Sequence, residues 1–166
     1  MKRALFSFCL MITAASLCFA ADPVEGCWFS VDDKTGKIVS GWELYTDNSG
    51  LLHGRMLSAV GITAGTLATR CKETYANFPV SGKVNRMPVL GTPWFFGFRM
   101  EKAGRWVDGS IVNAEDGSMY KAELTHHPID GKRYTVETLE VRGFLLFFSG
   151  AQYWRRCTRE EALSLR

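Results

Sequence analysis

Residues 24–37 read VEGCWFSVDDKTGK and set a Gly-x-Trp, Gly26-Cys27-Trp28, at the head of a short apolar run that ends in an Asp/Gly turn. An indole so near the start of a first strand needs something to cover it. The residues able to do so stand at the far end of the chain, in QYWRRC, residues 152–157. Between them lie KIVSGWELYT (37–46), LLHGRMLSAV (51–60), WFFGFRM (94–100), WVDGSIV (106–112), SMYKAELTH (118–126) and YTVETLEVRGF (134–144). These runs alternate polar and apolar positions, and Gly, Asn, Asp or Pro turns separate most of them. Such a pattern predicts an antiparallel all-β meander. With the first and last runs the count is eight strands, the number that closes into a small barrel.

In a closed meander the first and last strands are antiparallel neighbours, so Gly26-Cys27-Trp28 lies beside Trp154-Arg155-Arg156-Cys157. Period-two alternation puts Trp154 and Arg156 on one face, Arg155 and Cys157 on the other. With Trp28 inside, Arg156 can lay its guanidinium over the indole and plug one end of the barrel by cation–π stacking. Cys27 and Cys157 then both point outward, within reach of a cross-strand disulfide. Cys71 is left as the unpaired thiol.

The first twenty residues have a different character. Met1-Lys2-Arg3 is a basic start, and ALFSFCLMITAASLCFA is an apolar run ending in small residues. This is the pattern of a secretory signal peptide cut after Ala20, which predicts an exported, periplasmic protein. Lipoprotein processing before Cys18 is disfavoured by Leu17, where a small residue is needed. Residues 21–166 then form a single domain. Of 20 basic residues, Lys2 and Arg3 leave with the signal, so 18 face 17 acidic ones. A near-neutral chain without basic runs carries no electrostatic footprint for nucleic acid or for an anionic membrane surface. An oxidising compartment permits the disulfide. Two segments depart from the strand pattern. Residues 61–88 are mixed and turn-rich, a length that suggests a lid, a functional loop or a short helix across one barrel end. Thr158-Arg159-Glu160-Glu161 matches a capping box, predicting a short C-terminal helix.

The Gly-x-Trp with a late Arg across it resembles the lipocalin and calycin barrels. A longer set of motifs resembles the bacterial exported domain-of-unknown-function family 2147. It comprises Asp22-Pro23, Gly26-Cys27-Trp28, DDKTGK (32–37), PVLG (88–91), WVDGSI (106–111) with DGSMY (116–120), Val141-Arg142-Gly143, and Trp154-Arg155-Arg156. Membership implies export and a lipocalin-like barrel, with no known activity. Family members typically carry a Cys pair in the long loop, and here Cys71 stands there without a near partner.

The residues offer little assignable catalysis. His126 and His127 are adjacent on a strand, so they point to opposite faces and cannot share a metal, and His53 has no spaced partner. VDDKTGK and NAEDGSMY lack calcium-loop spacing and read as hairpin turns. With no nucleophile–base pair to name, the expectation is a non-enzymatic protein that needs no metal or cofactor. The aromatics are more informative. Alternation in TPWFFGFRM sets Trp94, Phe96, Phe98 and Met100 on one face, with Phe95 opposite. A barrel of this size either fills with side chains or holds one small ligand. The expected site has Trp94, Phe96 and Phe98 as apolar wall, the Tyr120 hydroxyl, and Arg142 facing an acidic head group. The expected function is a monomeric carrier or sensor of a small, partly apolar or amphipathic ligand that could bear a carboxylate. The alternatives are a protein-binding envelope module, inhibitor- or stress-related, which SGAQY (149–153) resembles slightly, and an outer-membrane barrel. Charged outward positions such as Glu43, Lys121 and Glu123 disfavour the latter and any stable membrane insertion.

Overall fold

The computed structural model describes residues 21–145 and 148–165, so the expected signal segment lies outside the described residues. The strands are β1 (Gly26–Val31), β2 (Ile38–Thr46), β3 (Leu52–Ala59), β4 (Pro93–Lys102), β5 (Arg105–Val112), β6 (Met119–His127), β7 (Thr138–Leu145) and β8 (Phe148–Cys157). Each pairs antiparallel with the next, and β8 pairs back onto β1, giving a closed up-and-down barrel. A short helix, α1 (Arg159–Leu163), follows. Its capping box forms as the sequence predicts: the Glu161 amide donates to Thr158 Oγ1 at 3.2 Å, and the Thr158 amide donates to Glu161 Oε2 at 2.7 Å. The helix sits on the outer wall, where Ser58 Oγ donates to the Ala162 carbonyl at 2.6 Å. SGAQY falls inside β8.

One end of the barrel is plugged. Register sets Trp28 opposite Arg156, and the guanidinium carbon lies 3.7 Å from the centre of a fully buried indole. The guanidinium also donates to the Glu25 carbonyl at 2.6 Å, to the Pro23 carbonyl, and to Glu137 Oε1 at 2.9 Å. Trp28 Nε1 donates to the Val24 carbonyl at 2.8 Å. Asp22 ties down the same end by accepting from Trp106 Nε1 and from the Gly104 amide, each at 2.9 Å. The glycine of the Gly-x-Trp has a definite role here. Gly26 holds φ +107°, and a Cβ on it would stand 2.9 Å from Arg156 Nη1. A side chain there would push the cation off the indole.

The long connection spans residues 60–92 and contains a 3-10 turn, Val84–Arg86. It folds down against the outside of β4 and the β5–β6 turn. Phe78 meets Phe96 at 5.2 Å and Trp94 at 6.0 Å between ring centres. Trp94 Nε1 donates to the Val89 carbonyl at 2.7 Å, and the Tyr75 hydroxyl donates to the Gly117 carbonyl at 2.7 Å. Buried Cys71, in the connection, belongs to the same apolar cluster as the barrel core, and burial pushes its thiol up. The Asp/Gly segments act as turns: Asp32 Oδ1 accepts from the Thr35 amide at 2.7 Å, and Asp116 Oδ1 from that of Ser118 at 2.8 Å.

Two outcomes test the plug. Trp28→Ala removes a fully buried indole and is expected to cost about 3–5 kcal/mol in denaturant unfolding; a loss under about 1 kcal/mol would show that the plug does not support closure. Glu137 supplies the pH dependence. The hydrogen bond from Arg156, with further help from His126, holds its carboxyl below the usual 4.5. A depressed carboxylate contributes stability that is present above its unfolded value and lost as pH falls through the folded one. The stability gap between wild type and Glu137→Gln should therefore be open at neutral pH and close as pH falls below about 4.5. A gap constant with pH would exclude this ion pair as its source.

Candidate functional site

The other end of the barrel is open and hollow. Strand direction puts the ends of β1, β3, β5 and β7 there, with the starts of the even-numbered strands. A cavity of about 660 Å³ occupies this end. Its floor is an aromatic cluster in which Trp42 meets Phe95 at 4.8 Å and Trp154 at 5.3 Å, and Phe95 meets Trp154 at 5.4 Å. Met56, Ile111 and Val141 extend the apolar wall. The space exists because β7 and β8 oppose Gly143 to Gly150 at the mouth. A Cβ on either glycine would meet no atom of the described residues within 4 Å.

Few polar groups face this space. Ser30 and Ser40 oppose each other across β1 and β2, both buried, with their hydroxyls hydrogen-bonded. Trp42 Nε1 donates to Ser40 Oγ at 2.7 Å, and Trp154 Nε1 donates to Gln152 Oε1 at 3.1 Å. The Tyr120 hydroxyl accepts from Ser118 Oγ at 2.8 Å. Asp33 and Glu115 stand in the turns at the rim, and no Lys, Arg or His is among the described residues lining this cavity. A second hollow of about 560 Å³ lies between the mouth and the 60–92 connection. It shares Val39, Ser40, Met56, Ala114 and Glu115 with the first and adds Ile62, Leu67, Val89 and Arg70.

Tyr120 is among the residues that line the cavity. Trp94 touches the cavity, but its ring lies on the outward face with Phe96, packed against Phe78 and donating to the Val89 carbonyl. Three further expected site residues do not line it. Phe96 faces outward under Phe78, and Phe98, though inside, lies beyond the floor formed by Phe95. The reason is a β-bulge: Leu52 pairs with Phe98 but Gly54 with Phe95, so β4 carries one residue more than β3. Gly97, at φ +72°, absorbs it, and the alternation shifts by one. Phe95, read as facing away, lines the cavity instead. Arg142 is on the outer wall, exposed, bonded to Glu140, and beside Glu123 in the register. It cannot meet a ligand head group in the barrel. The inward residues of β7 are Leu139, Val141 and Gly143.

The histidines are held separately: His126 Nε2 lies 2.9 Å from Glu137 Oε1, and His127 Nε2 lies 2.9 Å from Glu140 Oε2. Among the described residues, no group of three His, Cys, Asp or Glu is placed to hold a metal ion. The structure holds Cys27, Cys71 and Cys157 as thiols, with Cys27 directly opposite Cys157. Burial, with the neighbouring Cys27 charge, pushes the Cys157 thiol up to about 12.

A closed eight-stranded up-and-down barrel, plugged by Trp and Arg at one end and hollow at the other, defines a lipocalin-like protein. Comparison with known proteins agrees. The family described as "Uncharacterized protein conserved in bacteria (DUF2147)" matches residues 26–156, and the chain belongs to it. A solved structure described as "Protein HP1028 from the human pathogen Helicobacter pylori belongs to the lipocalin family" superposes with a TM-score of 0.63 at 18% identity, covering 86% of this chain and 89% of that one. No curated protein matches.

Proposed function

We propose that this is an exported carrier, released from residues 1–20 by cleavage after Ala20, that holds a small, partly apolar ligand in the open-end cavity without transforming it. The observation that carries the reading is the hollow itself: an aromatic floor, apolar walls and a few placed hydroxyls and amides. Such a lining gives affinity through burial and orientation through the polar groups. Its hydroxyls, those of Ser30, Ser40 and Tyr120, have no lining imidazole to activate them, which favours holding over chemistry. A ligand in this cavity would meet Trp42, Phe95 and Trp154.

Titration with the neutral fluorophore N-phenyl-1-naphthylamine tests the reading, with intrinsic tryptophan fluorescence as a second signal. Saturable one-to-one binding is expected. Gly143→Leu, which puts a side chain into open space, should weaken it at least about tenfold. Arg142→Ala, on the outer wall, should leave it unchanged. Absence of saturable binding, or equal binding by Gly143→Leu, would overturn the carrier reading.

Export also bears on the cysteines, and we propose that Cys27 and Cys157 bridge in the oxidising compartment. Both thiols are pushed up by burial, so little thiolate exists at neutral pH in the finished barrel. The bridge would therefore form as β1 and β8 come together, not by later oxidation. Non-reducing peptide mapping of the exported protein should recover Cys27 joined to Cys157 and Cys71 free. Three free thiols, or a peptide linking Cys71, would sink the assignment.

A further inference from the structure

We infer that Ser30, Ser40 and Trp42 form a hydrogen-bonding anchor for an uncharged carbonyl oxygen, an ester or secondary amide, placed partway along a ligand with an apolar arm on either side. The inference rests on the carrier reading and deepens it. Proton accounting comes first. The two serine hydroxyls share one hydrogen bond, and Trp42 Nε1 donates a further proton to Ser40 Oγ. If Ser40 donates to Ser30, the Ser30 proton has no acceptor. If Ser30 donates to Ser40, the Ser40 proton has none. Either way one hydroxyl proton remains without a protein acceptor among the described residues. Both residues are more than nine-tenths buried, at 5% and 6% exposure, and both line the cavity. A buried donor left without an acceptor costs free energy that a ligand oxygen would recover.

Position along the cavity sets where on the ligand that oxygen lies. Ser40 lines both hollows, the barrel cavity and the one beneath the 60–92 connection. An oxygen held there has the Trp42, Phe95 and Trp154 cluster on one side and Ile62, Leu67 and Val89 on the other. A terminal head group would leave one of these apolar hollows unfilled, whereas a mid-chain carbonyl lets both be occupied. Charge sets the class. The barrel cavity has Asp33 and Glu115 in its lining and no cation among its described lining residues. Arg70, in the second hollow, already reaches toward the Glu115 carbonyl at 3.4 Å. A carboxylate at the serine pair would lose its hydration for one neutral donor and two like charges.

The test uses hexyl hexanoate, N-hexylhexanamide and dodecanoic acid, each competed against N-phenyl-1-naphthylamine. The ester and amide should bind at least about tenfold more tightly than the acid. In Ser30→Ala/Ser40→Ala the ester and amide should weaken about 3–10-fold, the range of one neutral hydrogen bond, while the fluorophore itself binds as before. Ser30→Ala alone should change little, because Ser40 keeps its free proton. A thermal melt of each variant establishes folding, and Ser30→Thr/Ser40→Thr, which keeps the hydroxyls, should retain ester binding if the alanine pair unfolds. An acid that binds as tightly as the ester, or a double variant that weakens ester and fluorophore equally, overturns the anchor and leaves the carrier intact. If fluorophore, ester and acid all fail to bind wild type, the carrier reading falls and the anchor with it.

Discussion

A guanidinium stacked on an indole joins the two ends of this chain. Arg156 comes from the last strand and Trp28 from the first, and they meet at the seam where a meander must close or stay open. An open meander would present two unpaired edges, a surface that invites association with other chains. Only three residue pairs make the β1–β8 ladder, from Cys27–Cys157 to Phe29–Arg155. So short a seam gains from a contact that is neither ladder nor simple apolar packing. The cation holds the indole face, two carbonyls of the entering chain and the Glu137 carboxylate together. Its partly buried charge is therefore paired and hydrogen-bonded, the condition under which such burial is tolerated.

Plugging one end determines what the other can be. Trp28, Trp106, Phe98, Leu44 and Leu124 fill the closed half with side chains that are almost completely buried. The open half carries glycines and serines at inward positions, Gly143, Gly150, Ser30 and Ser40, where a filled barrel would carry branched apolar side chains. The 60–92 connection does not collapse into the resulting space. Its own aromatics, Tyr75 and Phe78, are taken up by the outer wall of β4 and by the β5–β6 turn. Packing the connection sideways keeps the mouth accessible and adds a second hollow at its edge.

The strand pattern was readable because turns and period-two alternation are local, and the Trp28–Arg156 contact because closure makes a non-local pair predictable from chain order alone. The β4 lining was misread for an equally local reason. A single bulge at Gly97 reverses which of Phe95 and Phe96 faces inward, and a glycine in a strand was the available sign of it. Alternation places Arg142 on one face of its strand with Thr138 and Glu140, but it does not say which face is inside. The apolar set Leu139 and Val141 on the opposite face could have settled it, since an inward face in a small barrel is the less polar one. The serine pair left no mark in the sequence. Ser30 and Ser40 are ten residues apart, and only their register makes them a unit.

The division into a filled half and a hollow half also separates the residues that hold the barrel closed from those that line the cavity. A cavity forgoes the dispersion and burial that side chains would have supplied, so the loss has to be offset elsewhere in the same small domain. Here it is offset at the opposite end, where aromatic burial, a paired cation and the Asp22 hydrogen bonds concentrate. Substitutions around Ser30, Ser40, Gly143 and Gly150 can then alter the shape and polarity of the hollow with little effect on closure. The same separation explains the poor charge complement of the cavity. The paired cations sit outside it, Arg156 in the plug and Arg142 on the wall, leaving the interior to hydroxyls, amides and aromatic rings. Among the described lining residues there is no cation, so the cavity offers an occupant apolar contact and uncharged hydrogen-bonding groups and no charge to attract an anion.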